Sequence, residues 1–300
     1  MAAFTHYSDG NVLEDVLMQV INTTPHEAPF MTSLSNPTKV TEVIHQWPED
    51  TLTTYQSNAQ QEGGTYSDGT LTAPARRVNL TQVLWKTVFV SRTEQLVRSA
   101  GISNNLDYQK MKGQKMLATD MEKELITSSM VSGNGTNAAR RMAGALNYIT
   151  TNATTVNSGT KLTESLFNDM IELVYNASGK RDLNVLTSAF CKRKISNFYA
   201  RNTVNADQSD KSAHYVIDRL ITDVGDATVA ISRVTPTSAS AHTLLFYDRE
   251  MLKLGVLDAP HWVERAKTAH GDAWVIETEI TLEVRSENTG AVLNGINPNW

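Results

Sequence analysis

Apolar residues first recur at helical spacing in NVLEDVLMQVI, residues 11–21. Val12, Leu13, Val16, Leu17, Val20 and Ile21 share one stripe, and Asp9 to Asn11 offers a cap. TTPHEAPFMTSLSNPTK then places three prolines close together, which predicts a piece running extended across a surface. KVTEVIHQW reads as a strand that Pro48 breaks. After a polar run, RRVNLTQVLWKTVFVSR, residues 76–92, reads as a second strand. One parity carries Val78, Leu80, Leu84, Val88 and Val90; the other carries Asn79, Thr81, Val83, Trp85, Thr87 and Phe89. Neither face is cleanly polar, so its base at least needs cover on both sides. The two strands and the polar run between them predict a long hairpin.

Residues 106–130, LDYQKMKGQKMLATDMEKELITSSM, give the longest helical candidate. Leu117, Met121 and Leu125 sit four apart with Met111 and Ala118 beside them, and charges including Glu122 fill most of the remaining circumference. At 1.5 Å per residue it would span about 37 Å. Such a helix lies along something and is not sunk in a core. A mixed unit starts near residue 160. Thr163 is the expected N-cap, Leu162 and Phe167 a hydrophobic staple, and Gly179 the stop. Leu166, Phe167, Met170, Ile171, Val174 and Tyr175 form the stripe of this helix. The strand LNVLTS, the helix AFCKRKISNFYA and short strands around YVIDRLI, ATVAISR and HTLLFYD follow. Last comes AWVIETEITLEVRS, a long strand whose Trp274, Ile276, Ile280, Leu282 and Val284 alternate with Glu277, Glu279, Glu283 and Arg285. One buried face and one solvated acidic face are expected.

Composition narrows the class. The 300 residues are 40% apolar and 20% charged, the balance of an ordered soluble chain of one or two domains. A net charge of -5 argues against a nucleic-acid reader but not against a container for nucleic acid. No apolar run reaches the roughly 20 residues of a membrane span, and the first residues do not read as a secretory signal. The single cysteine, Cys191, leaves no internal disulfide and fits a reducing cytoplasm. The Asn-x-Ser/Thr triplets at Asn22, Asn79, Asn134 and Asn152 read as chance.

The sequence carries no catalytic, cofactor or metal signature. His6, His26, His45, His214, His242, His261 and His270 show no metal-ligand spacing. VSGNGTNAARRMAG invites a phosphate-loop reading with Arg140 and Arg141, but lacks the Gly-Lys-Ser/Thr order; a turn after a long helix is the plainer reading. Cys191 opens a helix, where the dipole would lower a thiol pKa, yet packing is its simpler role. Glu277, Glu279 and Glu283 read as a solvated strand face, and Lys192, Arg193 and Lys194 as an exposed helix face. What remains unusual is the set of long, thin elements, which bury too little within one chain to offset their ordering entropy. They become stable when neighbouring subunits supply contacts.

The parts, in order, resemble the major capsid proteins of tailed bacteriophages with the Hong Kong 97-type fold, and most closely the SU-ten-like family. TTPHEAPFMTSL and QWPEDTL are similar to that family's N-terminal arm entering the extended loop. NLTQVLWKTVFVSRT is similar to the returning strand, LDYQKMKGQKMLATDMEKELI to the spine helix and ARRMAGALNYI to the link that follows. TESLFNDMIELVYNASGKRDLNVLTS and ITDVGDATVAISR are similar to the axial domain, and AKTAHGDAWVIETEITLEVRSENTGAVLNGI to the long returning strand. Departures are Val224, where an aromatic is expected, and His270, where a smaller residue is expected.

The resemblance implies an α+β chain. An N-terminal arm spans residues 1–40, an extended β-hairpin loop 41–92, and a peripheral domain with the spine helix 93–150. A mixed α/β axial domain spans 151–265, and residues 266–300 are the peripheral return strand. It implies a non-enzymatic protein without cofactors that assembles with itself into hexamers and pentamers of a head enclosing double-stranded DNA. Partners would be a portal and, in some relatives, scaffolding and decoration proteins; no membrane is involved, and assembly takes place in the host cytoplasm. Residues 45–75 contain no lysine, so the lysine-asparagine crosslink of some related shells is not expected. A separate scaffolding protein, or none, is expected, because the chain starts almost directly with the arm helix. Within SNAQQEGGTYSDG, residues 57–69, the loop tip supplies intersubunit contacts from Asn58, Gln60, Gln61, Gly63, Gly64, Tyr66 and Gly69. The rival readings are an encapsulin-like nanocompartment shell and an α/β enzyme of unknown chemistry.

Overall fold

The computed structural model describes residues 28–52, 55, 57–65, 73–97, 102, 104–135, 138–157, 159–200, 219–236 and 241–297. The helix expected at 11–21 lies outside them, as do the first residues of YVIDRLI. In chain order, α1 spans Pro29–Ser33, β1 Ser35–Lys39, β2 Ile44–Glu49, β3 Ala75–Leu80 and β4 Gln82–Ser91. There follow α2 Arg92–Leu96, α3 Asn105–Thr127, α4 Ala145–Tyr148, β5 Ala153–Thr155, α5 Glu164–Ser178, β6 Asp182–Thr187 and α6 Ala189–Ala200. The last part holds β7 Arg219–Ile221, β8 Asp226–Ile231, β9 His242–Tyr247, β10 Leu252–Glu264, β11 Gly271–Val284 and β12 Ala291–Ile296.

The chain divides into two compact units. One comprises residues 1–26, 85–117 and 261–277; the other comprises residues 27–84, 118–260 and 278–300. The boundary falls inside β4, α3, β10 and β11. Among the described residues there are three sheets: a four-stranded one ordered β1-β10-β11-β4, a six-stranded one ordered β5-β12-β9-β6-β8-β7, and the β2-β3 ribbon.

In the first unit, Ser91 caps α2 by accepting from the Glu94 N–H at 3.2 Å. The Lys110 ammonium sits 3.2 Å from the centroid of the Trp274 ring, which converts a surface lysine into cover for an aromatic. Gly113 lies so close to Val88 that a Cβ there would be 3.1 Å from its methyl group. The α3 residues of this unit stay largely accessible, Met111 and Met116 among them.

In the second unit, α5, β6, α6, β8 and β9 lie where the sequence reading puts them, while β5 and β12 complete the six-stranded sheet without having been expected in it. Thr163 accepts from the Leu166 N–H at 3.3 Å, Leu162 and Phe167 are buried, and Gly179 ends α5 at φ 73°. Phe167, Met170, Ile171 and Val174 pack from α5 against Val185, Phe246 and Leu293 of the sheet, with Cys191 and Ile195 from α6. Strand β9 is buried along its whole length, as a strand central to its sheet should be.

Several expectations change. The proline-marked segment is not a uniform extended run: it forms α1 and then β1. Pro29 stands at the start of α1, where a missing N–H costs nothing, and Pro37 lies in an edge strand. Pro48 does not break its strand, because each strand of a two-stranded ribbon has a free edge; it pairs with Arg76. The returning strand is not continuous either. β3 pairs with β2, and the chain passes through Thr81 into β4 of another sheet.

The α3 residues of the second unit are not all wet. Met121 and Leu125 are buried as the expected stripe requires, but Ile126 and Glu122 are fully buried too, Glu122 against the reading of a solvated charge. Finally, the acidic face of β11 is paired and not simply solvated. Its carboxylates all find partners: Glu277 has His261 at 3.4 Å in the first unit, and in the second Glu279 has Arg140 and Glu283 has His45 and Arg285.

Candidate functional site

The loop carried by the β2-β3 ribbon is the candidate, and its base is tied firmly into the second unit. Six register pairs run from Ile44↔Leu80 to Glu49↔Ala75. Trp47 is buried and stacks on Tyr148 with ring centroids 5.9 Å apart; His45 adds its ring at 5.4 Å. Burial pushes the Tyr148 hydroxyl up to about 12, with the Arg77 charge opposing and the Glu49 and Glu287 charges adding. Arg77 pairs with Glu49 and lies 3.8 Å from Glu287.

Glu287 also accepts from the backbone and hydroxyls of Thr150 and Thr151. Burial alone would raise its pKa, but these donors outweigh it and hold the carboxyl below its ordinary value. Glu283 behaves alike: burial is overcome by hydrogen bonds from Arg285 and His45, at 2.7 and 2.9 Å.

Asn79 finishes the base. Its amide donates to the carbonyls of Ala143 and Leu282 at 3.0 and 2.7 Å, and accepts from the N–H groups of Leu80 and Ala143 at 2.9 and 2.8 Å. These bonds hold the chain where β3 gives way to β4. Nothing in the local sequence signals this role, since an isolated asparagine in a strand reads as a weak point.

Beyond the base, Asn58, Gln60, Gln61, Gly63 and Gly64 are all exposed. Gln60 donates to Asn58 at 2.9 Å, and the Gly64 N–H closes a turn on the Gln61 carbonyl at 3.0 Å. Gly63 stands at φ 78°, the positive value that turn requires. Tyr66 and Gly69 lie outside the described residues. Two residues of the same loop were missed: Leu52 and Tyr55 are 99% and 97% exposed. An isolated apolar residue ahead of a polar run carries no periodic signal in the sequence. From residue 50 to 75 the loop holds Asp50, Glu62 and Asp68 and no lysine or arginine.

The other candidates resolve into structure. Arg140 donates to the Thr81 carbonyl at 2.6 Å and pairs with Glu279, and Arg141 lies 3.2 Å from Glu124, so both guanidiniums are engaged. The glycine-marked loop beside them borders a cavity of about 600 Å³ lined by Val83, Ser132, Gly133, Gly135, Ala138, Ala139 and Arg140.

Cys191 is buried, and that burial raises its thiol pKa, opposite to the helix-dipole expectation. Lys192 does not belong to an exposed face; it is buried, with its ammonium donating to the Val229 carbonyl at 2.6 Å. Among the described residues no group of three His, Cys, Asp or Glu converges as metal ligands would, and no helix is long and apolar enough to cross a membrane.

The whole arrangement is that of the Hong Kong 97-type capsid fold. The capsid of cyanophage A-1(L) superposes with a TM-score of 0.71 at 11% identity, over 98% of this chain and 99% of that one. The capsid of a native GTA particle gives 0.69 at 11% identity, over 97% of both chains. An encapsulin complex from Synechococcus elongatus PCC 7942 gives 0.63 at 11% identity, over 100% and 98%. The chain belongs to the SU10 major capsid protein family, whose sequence profile matches residues 2–297. The major capsid protein of Escherichia phage Phieco32 is 25% identical over 324 aligned positions, covering 90% of each chain.

Proposed function

We propose that this phage major capsid protein closes into a shell of hexamers and pentamers around double-stranded DNA, acting mechanically and without catalysis. In this reading the β2-β3 loop lies over a neighbouring subunit. The observation that carries it is the near-complete exposure of Leu52 and Tyr55 at the end of a rigidly anchored ribbon. On a loop read as an intersubunit contact, these are the two side chains that a neighbour would bury. Trp85 and Phe89, at 67% and 56% exposure on β4, are further candidates for burial on assembly.

The polar tip suits such a role. The amides of Asn58, Gln60 and Gln61 can adapt to the slightly different neighbour geometries of hexamers and pentamers. Tyr66 and Gly69 are assigned to the same contact, with Tyr66 as an anchor. Residues 151–265 are assigned to the axial domain at the capsomer centre, and 93–150 with the return strand that follows residue 266 to the peripheral domain, except that β12 belongs to the six-stranded sheet of the axial part. Mild acidity fits a lumen that holds DNA loosely, because each phosphate neutralised by a basic wall would add affinity through counterion release. A portal, and scaffolding or decoration proteins, are the partners such a shell would take, with assembly in the host cytoplasm.

Deleting residues 58–68 tests the loop assignment. The expected product is a soluble subunit that forms no closed particles in sedimentation and negative-stain microscopy. Normal particles from that variant would overturn it.

A further inference from the structure

The sequence holds two asparagine–glycine pairs, Asn134–Gly135 and Asn294–Gly295. In such a pair the glycine nitrogen can close on the asparagine Cγ to form a five-membered imide, because no Cβ crowds it. The reaction needs a backbone free to turn, access to water, and a donor for the oxygen that takes up negative charge. The fold treats the two pairs in opposite ways.

Asn134 and Gly135 are both exposed, in the loop that follows α3. Glycines at positive φ flank Asn134, Gly133 at 70° and Gly135 at 71°. Gly133 is tightly held: a Cβ there would stand 3.0 Å from the Arg140 nitrogen and 3.1 Å from the Ala138 carbonyl oxygen. Gly135 faces open space, with nothing within 4 Å of the place a Cβ would take. The residue that carries the electrophile thus follows a fixed point, and the nucleophile is free to move. Asn134 also pairs with Ala138. Its N–H donates to the Ala138 carbonyl at 3.3 Å, and its Oδ1 accepts the Ala138 N–H at 2.8 Å. Oδ1 is the oxygen that becomes an oxyanion when Cγ turns tetrahedral, so its stabilising donor is already in place.

Asn294 has none of this freedom. It lies in β12, paired with Thr155 of β5, and its carbonyl accepts the Val156 N–H at 2.9 Å. Its Oδ1 accepts the Thr243 hydroxyl at 2.9 Å. Gly295 is packed so closely that a Cβ would stand 2.4 Å from the Val156 carbonyl oxygen. The peptide between Asn294 and Gly295 must break its strand bond before it can turn.

We propose that the loop after α3 makes Asn134 a site of spontaneous conversion from amide to acid, while β12 shields Asn294. The Gly135 nitrogen bonds to Cγ, the Cγ–Nδ2 bond breaks, and Nδ2 leaves as ammonia with the proton that the Gly135 nitrogen gives up. Water then opens the imide at either carbonyl and leaves aspartate or isoaspartate. The sum is asparagine and water to acid and ammonia. Each event puts a negative charge into residues 131–139, which hold no aspartate or glutamate.

Peptide mapping by mass spectrometry tests this on the full-length protein, incubated in heavy-oxygen water at mildly alkaline pH, native and in denaturant. In denaturant both pairs are expected to convert at similar rates. In the native protein Asn134 is expected to convert at least as fast as in denaturant and to take up solvent oxygen. Asn294 is expected to lag it by about tenfold or more, because attack there waits for local opening of β12. Gly135→Ala is expected to slow conversion at Asn134. A native Asn134 slower than the denatured one, an Asn294 that keeps pace with it, or an unchanged rate in Gly135→Ala would overturn the proposal. The wild-type comparison decides if the variant does not fold. The reaction does not rest on shell assembly, so its failure would leave that reading standing.

Discussion

Asn79 uses all four hydrogen-bonding positions of its amide, each on backbone, and none is replaceable by water where it sits. Asn79→Ala would strand the Ala143 N–H and the carbonyls of Ala143 and Leu282 in the interior. Leaving a buried polar group unpaired costs about 1–3 kcal/mol, and some of these groups relax toward others, so a total loss of about 3 kcal/mol is expected. Denaturant unfolding of the isolated subunit measures it; an unchanged midpoint would show that the base of the ribbon is held otherwise. Individual buried polar residues were the least legible part of the sequence. Glu122, Lys192 and Glu283 read as solvated charges because their partners are backbone amides, a carbonyl or distant side chains. No pattern within one segment carries that information. Cys191, by contrast, was legible as packing, since its neighbours Phe190 and Ile195 are adjacent in sequence.

Elements whose limits are set by neighbouring residues were read correctly. Thr163 and Gly179 bracket α5, and the alternation read over residues 273–286 gave the fourteen-residue length of β11, which runs two residues earlier. Limits set by distant contacts were not. The break between β3 and β4 at Thr81 depends on Asn79 reaching residues 143 and 282, and the run on either side is uniformly strand-like.

The link after α3 shows the same dependence on close approach. A Cβ on Gly144 would stand 2.7 Å from the Glu124 carbonyl oxygen and 2.8 Å from the Ile126 carbonyl carbon, both backbone. Gly144 also donates to the Ser128 carbonyl at 2.7 Å. Gly144→Ala is expected to displace this link and cost about 1–3 kcal/mol, the usual range for overpacking. A thermal midpoint equal to wild type would mean the link can shift freely.

At the scale of the molecule, the loop tip was visible in the sequence as a polar, glycine-marked gap, and Gly63 and Gly64 do form its turn. Its apolar residues Leu52 and Tyr55 were not, because exposure is a property of the folded subunit and not of the residue type. The family profile over residues 2–297 establishes a major capsid protein. In the proposed reading, the exposed ribbon is where one copy leaves contacts for a neighbour to complete. Its anchored base fixes the direction of the loop, while the loop itself buries nothing within its own chain at Leu52 and Tyr55. Electron microscopy of the expressed full-length protein tests that claim most directly. The account expects closed particles in which residues 50–65 lie against a neighbouring subunit with Leu52 and Tyr55 buried. A small uniform oligomer under all assembly conditions, or closed shells in which those two side chains remain in solvent, would contradict it.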